Sequence, residues 1–138
     1  MIAAQGGTGY CKCMERNVAA SIVSLVQGVV YVATGLWPIL HRKSFEQVTG
    51  PKIDFWVVQT TGALISVIGS ALMVAGVRRS AGSPETALLG IVSAASLAGA
   101  DVIFTAKQRI REVYLLDAAG EAALILLWAA ALALGKKK

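Results

Sequence analysis

The residues best placed to do chemistry are three carboxylates set in apolar surroundings: Asp101, Asp117 and Glu121. Asp117 and Glu121 are four apart, so a helix would carry both on one face. Asp101 stands six residues before Lys107, about 9 Å along a helix from that basic end at 1.5 Å per residue. By the same rise, Asp117 is about 8 Å and Glu121 about 14 Å past Glu112. An acid near the centre of a bilayer costs about 2.5–3.5 kcal/mol on insertion scales. Left unpaired toward lipid, the three would destabilise any membrane fold. They are therefore expected to face the inside of a helix bundle, around a polar pocket open to one side, with Glu121 as the candidate to carry a proton.

Other polar residues fall at the same end of their apolar runs. Tyr31, Thr34, Trp37 and His41 approach it from the first run, and Asp54 and Gln59 from the second. Carboxylates beside Tyr31, Gln59 and Trp37 suit an organic cation, a metal ion or a carried proton. Arg109 and Arg111, with His41 and Trp37, would tune or gate the mouth. The competing reading is structural: arginines that snorkel back pair with Asp101 and Asp117 and hold two helices together.

Other motifs carry less. Cys11-Lys12-Cys13 offers two thiols with no second pair, so a metal site would need further ligands. The pair reads as reduced thiols, with redox sensing as the alternative. Gly6-Gly7-Thr8-Gly9 is too short for a phosphate-cradling loop and lacks the Lys-Ser/Thr that follows one. No serine, histidine and acid set assembles, so no catalytic residue, dedicated metal site or cofactor is assigned. A membrane isomerase with paired acids as general acid and base would need a hydrophobic substrate entrance that no motif marks.

The elements that must position these groups are four apolar runs, Val18–Leu40, Val57–Val77, Thr86–Ala106 and Val113–Leu134. Each meets the requirement of about 20 residues for a bilayer-crossing helix. The 138 residues are 56% hydrophobic and 15% charged, against about 25% charged in a typical soluble domain. The reading is an all-α membrane protein, a four-transmembrane-helix bundle. Its helices run over about 18–41, 55–78, 84–107 and 112–135, after a Gly-rich segment 1–17 and before a basic tail 136–138. Segment 1–17 lacks the apolar stretch of a signal peptide. The net charge of +5 sits mostly in loops and tails, as expected beside membrane spans, which makes nucleic acid a poor partner.

Small residues are spaced for helix contact. Ser21, Gly28 and Gly35 recur every seven residues, as do Gly62, Gly69 and Gly76. Gly90, Ala94 and Ala98 recur every four, as do Ala95 and Gly99. Lipid supplies no hydrophobic drive between helices, and such stripes permit the close approach that replaces it. Trp56–Gly62 also aligns without gaps on Tyr114–Gly120, an echo that would fit two duplicated helical hairpins.

Orientation is weakly marked. One side carries Lys12, Arg16, Arg78, Arg79 and Lys136 to Lys138, seven positive charges, and the other carries six. The terminal lysines favour both termini in the cytoplasm, and the near balance also permits insertion both ways round and an antiparallel homodimer. The stretches Phe45–Lys52 and Arg111–Asp117 resemble patterns of uncharacterised bacterial four-helix integral membrane proteins, a likeness that implies no activity, and the expected location is a bacterial-type inner membrane. The expected function is binding or translocation of a small cation or a cationic, amphipathic molecule. The alternative is a non-catalytic accessory subunit packing its glycine faces against a larger membrane complex.

Overall fold

A computed structural model describes residues 7–134, with side chains from residue 18 onward. Cys11 and Cys13 and the lysines of the basic tail therefore lie outside the described side chains. The described chain is five helices: α1 (Gly7–Leu40), α2 (Arg42–Thr49), α3 (Phe55–Val77), α4 (Pro84–Ala106) and α5 (Tyr114–Leu134). Four stretches, Val18–Leu40 of α1 and the whole of α3, α4 and α5, are long and apolar enough to cross a membrane, as fits a multi-pass membrane protein.

The span ends follow local chemistry. Ser83 caps α4 by accepting the Thr86 N–H, with Pro84 in the first turn and Glu85 on the positive end of the helix dipole. The helix α1 begins at Gly7, eleven residues before its apolar run, because a helix leaving a bilayer has no need to end where the apolar residues do. The connection after α1 is more ordered than the short interfacial turn expected at Ser44–Val48. His41 caps it by accepting the Ser44 N–H through Nδ1 at 3.4 Å, giving the two turns of α2. Gly50 ends α2 with φ of +89°, a conformation other residues adopt with strain.

The order of packing is α3, α1, α5, α4. Helix α1 is the hub: 44% of its apolar span is buried inside the bundle, against 28% for α3, 22% for α4 and 28% for α5. It packs along the length of α3 and also meets α5, which pairs with α4. Glycines set the α1–α3 distance. A methyl group added to Gly28 would come within 2.7 Å of the Gly69 carbonyl oxygen, and one added to Gly69 would come equally close to that of Gly28. Gly35 and Gly62 oppose each other in the same way one heptad along, and Gly76 lies against Ser21 and Leu25. In the other pair, Gly90 of α4 makes room for the Trp128 indole of α5.

Apolar burial is concentrated at one end of the bundle. Ala20, Val23, Leu72, Ala81, Ala87, Trp128 and Ala131 form the dry core toward the α3–α4 turn. The half nearer α2 is not filled in this way. The consecutive helices α3 and α4 make almost no contact with each other, and they stand on either side of an opening.

Candidate functional site

The buried faces of α1, α4 and α5 are heptad-like, which stacks polar side chains in layers. On α1 the series Ala20, Ser24, Gln27 and Tyr31 points inward; on α5 it is Ala118, Glu121, Leu124 and Trp128; on α4 it is Ala87, Gly90, Ala94 and Asp101. Each layer therefore meets at a fixed depth.

The first polar layer closes the dry core. Gln27 is fully buried, donates through Nε2 to the Gly90 carbonyl at 2.8 Å and accepts from Trp128 Nε1 at 2.7 Å. One side chain of α1 thereby binds α4 and α5 together. Ser24, also fully buried, donates to the Leu72 carbonyl of α3 at 2.7 Å. One turn further along, Tyr31 donates its hydroxyl to Glu121 Oε2 at 2.8 Å. Tyr31 is 1% and Glu121 4% exposed, so this bond is sealed inside the bundle.

Above Tyr31 the bundle opens into a cavity of about 300 Å³ between α1, α3, α4 and α5. Asp101, Asp117 and Glu121 all line it, and no Lys, Arg or His is among the described residues of its wall. Asp101 is 9% exposed, and its Oδ2 is enclosed with no hydrogen-bond donor, its near polar neighbour being the Asp117 carboxyl of α5. The hydroxyl of Thr105, one turn further along α4, is enclosed and unpartnered too. Buried polar atoms are nearly always hydrogen-bonded, so Asp101 Oδ2 marks a place where the protein's own groups do not complete the structure; Thr105 borders the neighbouring pocket toward Arg111 instead, and Ser21 Oγ of α1 is enclosed and unpartnered at the dry end. Pro38, in the opposite wall, has no N–H to offer the carbonyl of Thr34.

Apolar side chains share the wall, Val57, Val58 and Ile65 from α3, Leu97 from α4 and Phe45 from α2, together with the hydroxyl residues Thr34, Thr61 and Tyr114. A second chamber of about 230 Å³ shares Thr34, Phe45, Tyr114 and Asp117 with the first and runs under α2. Asp117, exposed in the isolated chain, thus borders both chambers.

The cover over these chambers is built from aromatic and cationic contacts. Trp37 donates to Ser44 Oγ at 2.7 Å and meets Phe45 edge-on at 5.6 Å. Phe45 meets Phe55 in turn at 6.5 Å, and the Arg42 guanidinium lies 4.2 Å over the Phe55 ring while pairing with Glu46. Lys52 donates to the Thr49 carbonyl and sits 5.1 Å from the centre of the Tyr114 ring. Burial, with the Arg111 guanidinium nearby, holds the Lys52 amine below the ordinary lysine range.

Of the residues singled out from sequence, Asp101, Asp117, Glu121 and Tyr31 come together in one cavity wall. Trp37 lines the chamber under α2, and His41 serves as the cap of α2. Gln59 and Asp54 are exposed and absent from both walls, because α3 turns Val58, Thr61 and Gly62 inward instead. Arg111 reaches the carbonyls of Gln47 and Val48 at 3.5 Å, packed where Gly50 leaves room for it. Among the described residues the ion pair present is Arg42–Glu46, with no pairing of Arg109 or Arg111 to the cavity acids. The described residues also contain no cluster of three or more metal-ligating side chains.

Sequence reasoning missed Ser24, Gln27 and Trp128. The available signal was an amide in the middle of an apolar run and a tryptophan far from either interface, where it needs a buried partner for its N–H. No protein family, curated protein or solved structure matches this chain.

Proposed function

We propose that this protein binds, and through that site carries, a small cation or cationic molecule in the acidic cavity between α1, α3, α4 and α5. The reading places it in a bacterial-type inner membrane with both termini on the cytoplasmic side, in keeping with the terminal lysines. The observation that carries the proposal is Asp101, a carboxylate with an enclosed and unpartnered oxygen, in a wall that holds two more acids and no base among its described residues. An uncompensated carboxylate in low dielectric is unfavourable, and a bound cation supplies what the neighbouring helices do not. Arg111 is engaged on α2, which weighs against the acids serving as structural partners for the arginines.

The test is thermal stability in detergent for the parent and Asp101→Asn, each with and without added tetramethylammonium. The parent should be stabilised by the cation. Asp101→Asn should melt about 2–8 °C higher than the cation-free parent, corresponding to relief of about 1–2 kcal/mol, and should respond little to the cation. A variant that melts far below the parent under every condition makes Asp101 a structural partner and sinks the proposal.

One observation favours a second reading, that of an accessory subunit. A methyl group on Gly99 or Gly120 would meet nothing within 4 Å, so these two glycines serve no contact among the described residues. Co-purification of a fixed partner that is lost in Gly99→Leu or Gly120→Leu would move this reading ahead.

A further inference from the structure

The chemistry of the cavity wall narrows the occupant beyond its charge, and the argument rests on the cation-site reading above. We infer that the cavity seats a single ammonium group carried on an apolar chain or ring, with the head beside Asp101 and Asp117 and the body between α3 and α4. A bare divalent ion is a poor fit. It needs several ligands converging within about 2.6 Å, and the described residues contain no cluster that offers them. The cavity, at about 300 Å³, is far larger than such an ion and falls at the small end of the range for organic ligand pockets.

The distribution of lining groups is one-sided. The acids come from α4 and α5, whereas α3 supplies Val57, Val58 and Ile65 with Thr61 among them, and α4 adds Leu97 to the lining. Because α3 and α4 scarcely touch, the bundle leaves a gap between them beside this apolar seat. An amine dissolved in the leaflet would enter there tail-parallel to the acyl chains and reach the carboxylates without crossing water. An ammonium on an apolar chain has two sources, a free amine or an aminophospholipid headgroup, and the experiment separates them.

The full chain is reconstituted in phosphatidylcholine nanodiscs and titrated with n-octylammonium and with ethylammonium chloride, with empty discs as the reference. Leu97→Trp fills the apolar seat, and Val58→Trp fills it from the facing wall. The expected result is that either variant weakens octylammonium at least tenfold and leaves ethylammonium within twofold, which also shows that the variants fold. Equal weakening of both amines, or of neither, overturns the apolar seat while the cation site stands. If neither amine binds the parent above the empty-disc background, the cation-site reading falls as well. Octylammonium binding that weakens when phosphatidylethanolamine is included in the disc assigns the seat to a lipid amine; unchanged binding assigns it to a free one, and both outcomes uphold the inference.

Discussion

Glu121 and Asp101 lie in one wall, yet they are in opposite circumstances. Glu121 has a donor in Tyr31, and Asp101 Oδ2 has none. Removing the hydroxyl in Tyr31→Phe would leave Glu121 buried without its partner, a loss of about 1–3 kcal/mol. The same change made on a Glu121→Leu background should cost much less, because no buried acceptor is orphaned there. Thermal melts of the four proteins form the double-mutant cycle, and additive effects would show that the 2.8 Å contact contributes nothing specific. At this scale the sequence was partly legible. Carboxylates and a tyrosine at the same depth of neighbouring spans are visible as residue types at counted spacings. Gln59 and Asp54 lie at that depth as well and face outward, since depth follows from position along a helix while facing follows from rotation. Rotation is set by the partner helix, which a single strand of sequence does not display.

The helices themselves follow from constraints that leave few choices. A bilayer-length apolar run has to be helical, because every backbone group in lipid must be satisfied within its own segment. Hence α3, α4 and α5 fall within two residues of their expected limits. The short α2 was under-read, as its order comes from a cap and from tertiary contacts of Trp37 and Arg111 and not from periodicity. The glycine heptads of α1 and α3 were legible as an interface, since the spacing is that of two turns. Their equivalents in the second hairpin are not packed alike: Gly62 is pressed against Gly35, whereas its aligned partner Gly120 faces open space. Gly69→Leu should therefore destabilise by about 1–3 kcal/mol or more through overpacking against Gly28 and Tyr31. Gly99→Leu should change the isolated protein by less than about 0.5 kcal/mol. Melting points in one detergent decide between them, and equal effects would contradict the packing described.

At the scale of the whole molecule the bundle is two unequal parts, an α1–α3 pair locked by glycines and an α4–α5 pair docked on α1. The fourth side, between α3 and α4, has little holding it. Spin labels at Thr61 and Ala100 should report a broad distance distribution, and labels spanning α1 and α3 at Val30 and Leu64 a narrow one. A narrow α3–α4 distribution would mean that the opening is closed in the membrane. This asymmetry could not be read from sequence, because α3 and α4 are as apolar as their neighbours and only the pattern of contacts separates them. The Gln27 layer has a consequence for how the chain is made. Its two partners, at Gly90 and Trp128, are 63 and 101 residues further along. As the chain is synthesised, α1 and α3 can join through their glycines with Ser24 already bonded to Leu72, while the Gln27 amide finds its acceptor only with α4 and its donor only with α5. Arrival of the last helix satisfies that amide and Tyr31 together. A chain stopped short of Trp128 therefore lacks the donor that the buried Gln27 oxygen accepts from in the finished bundle.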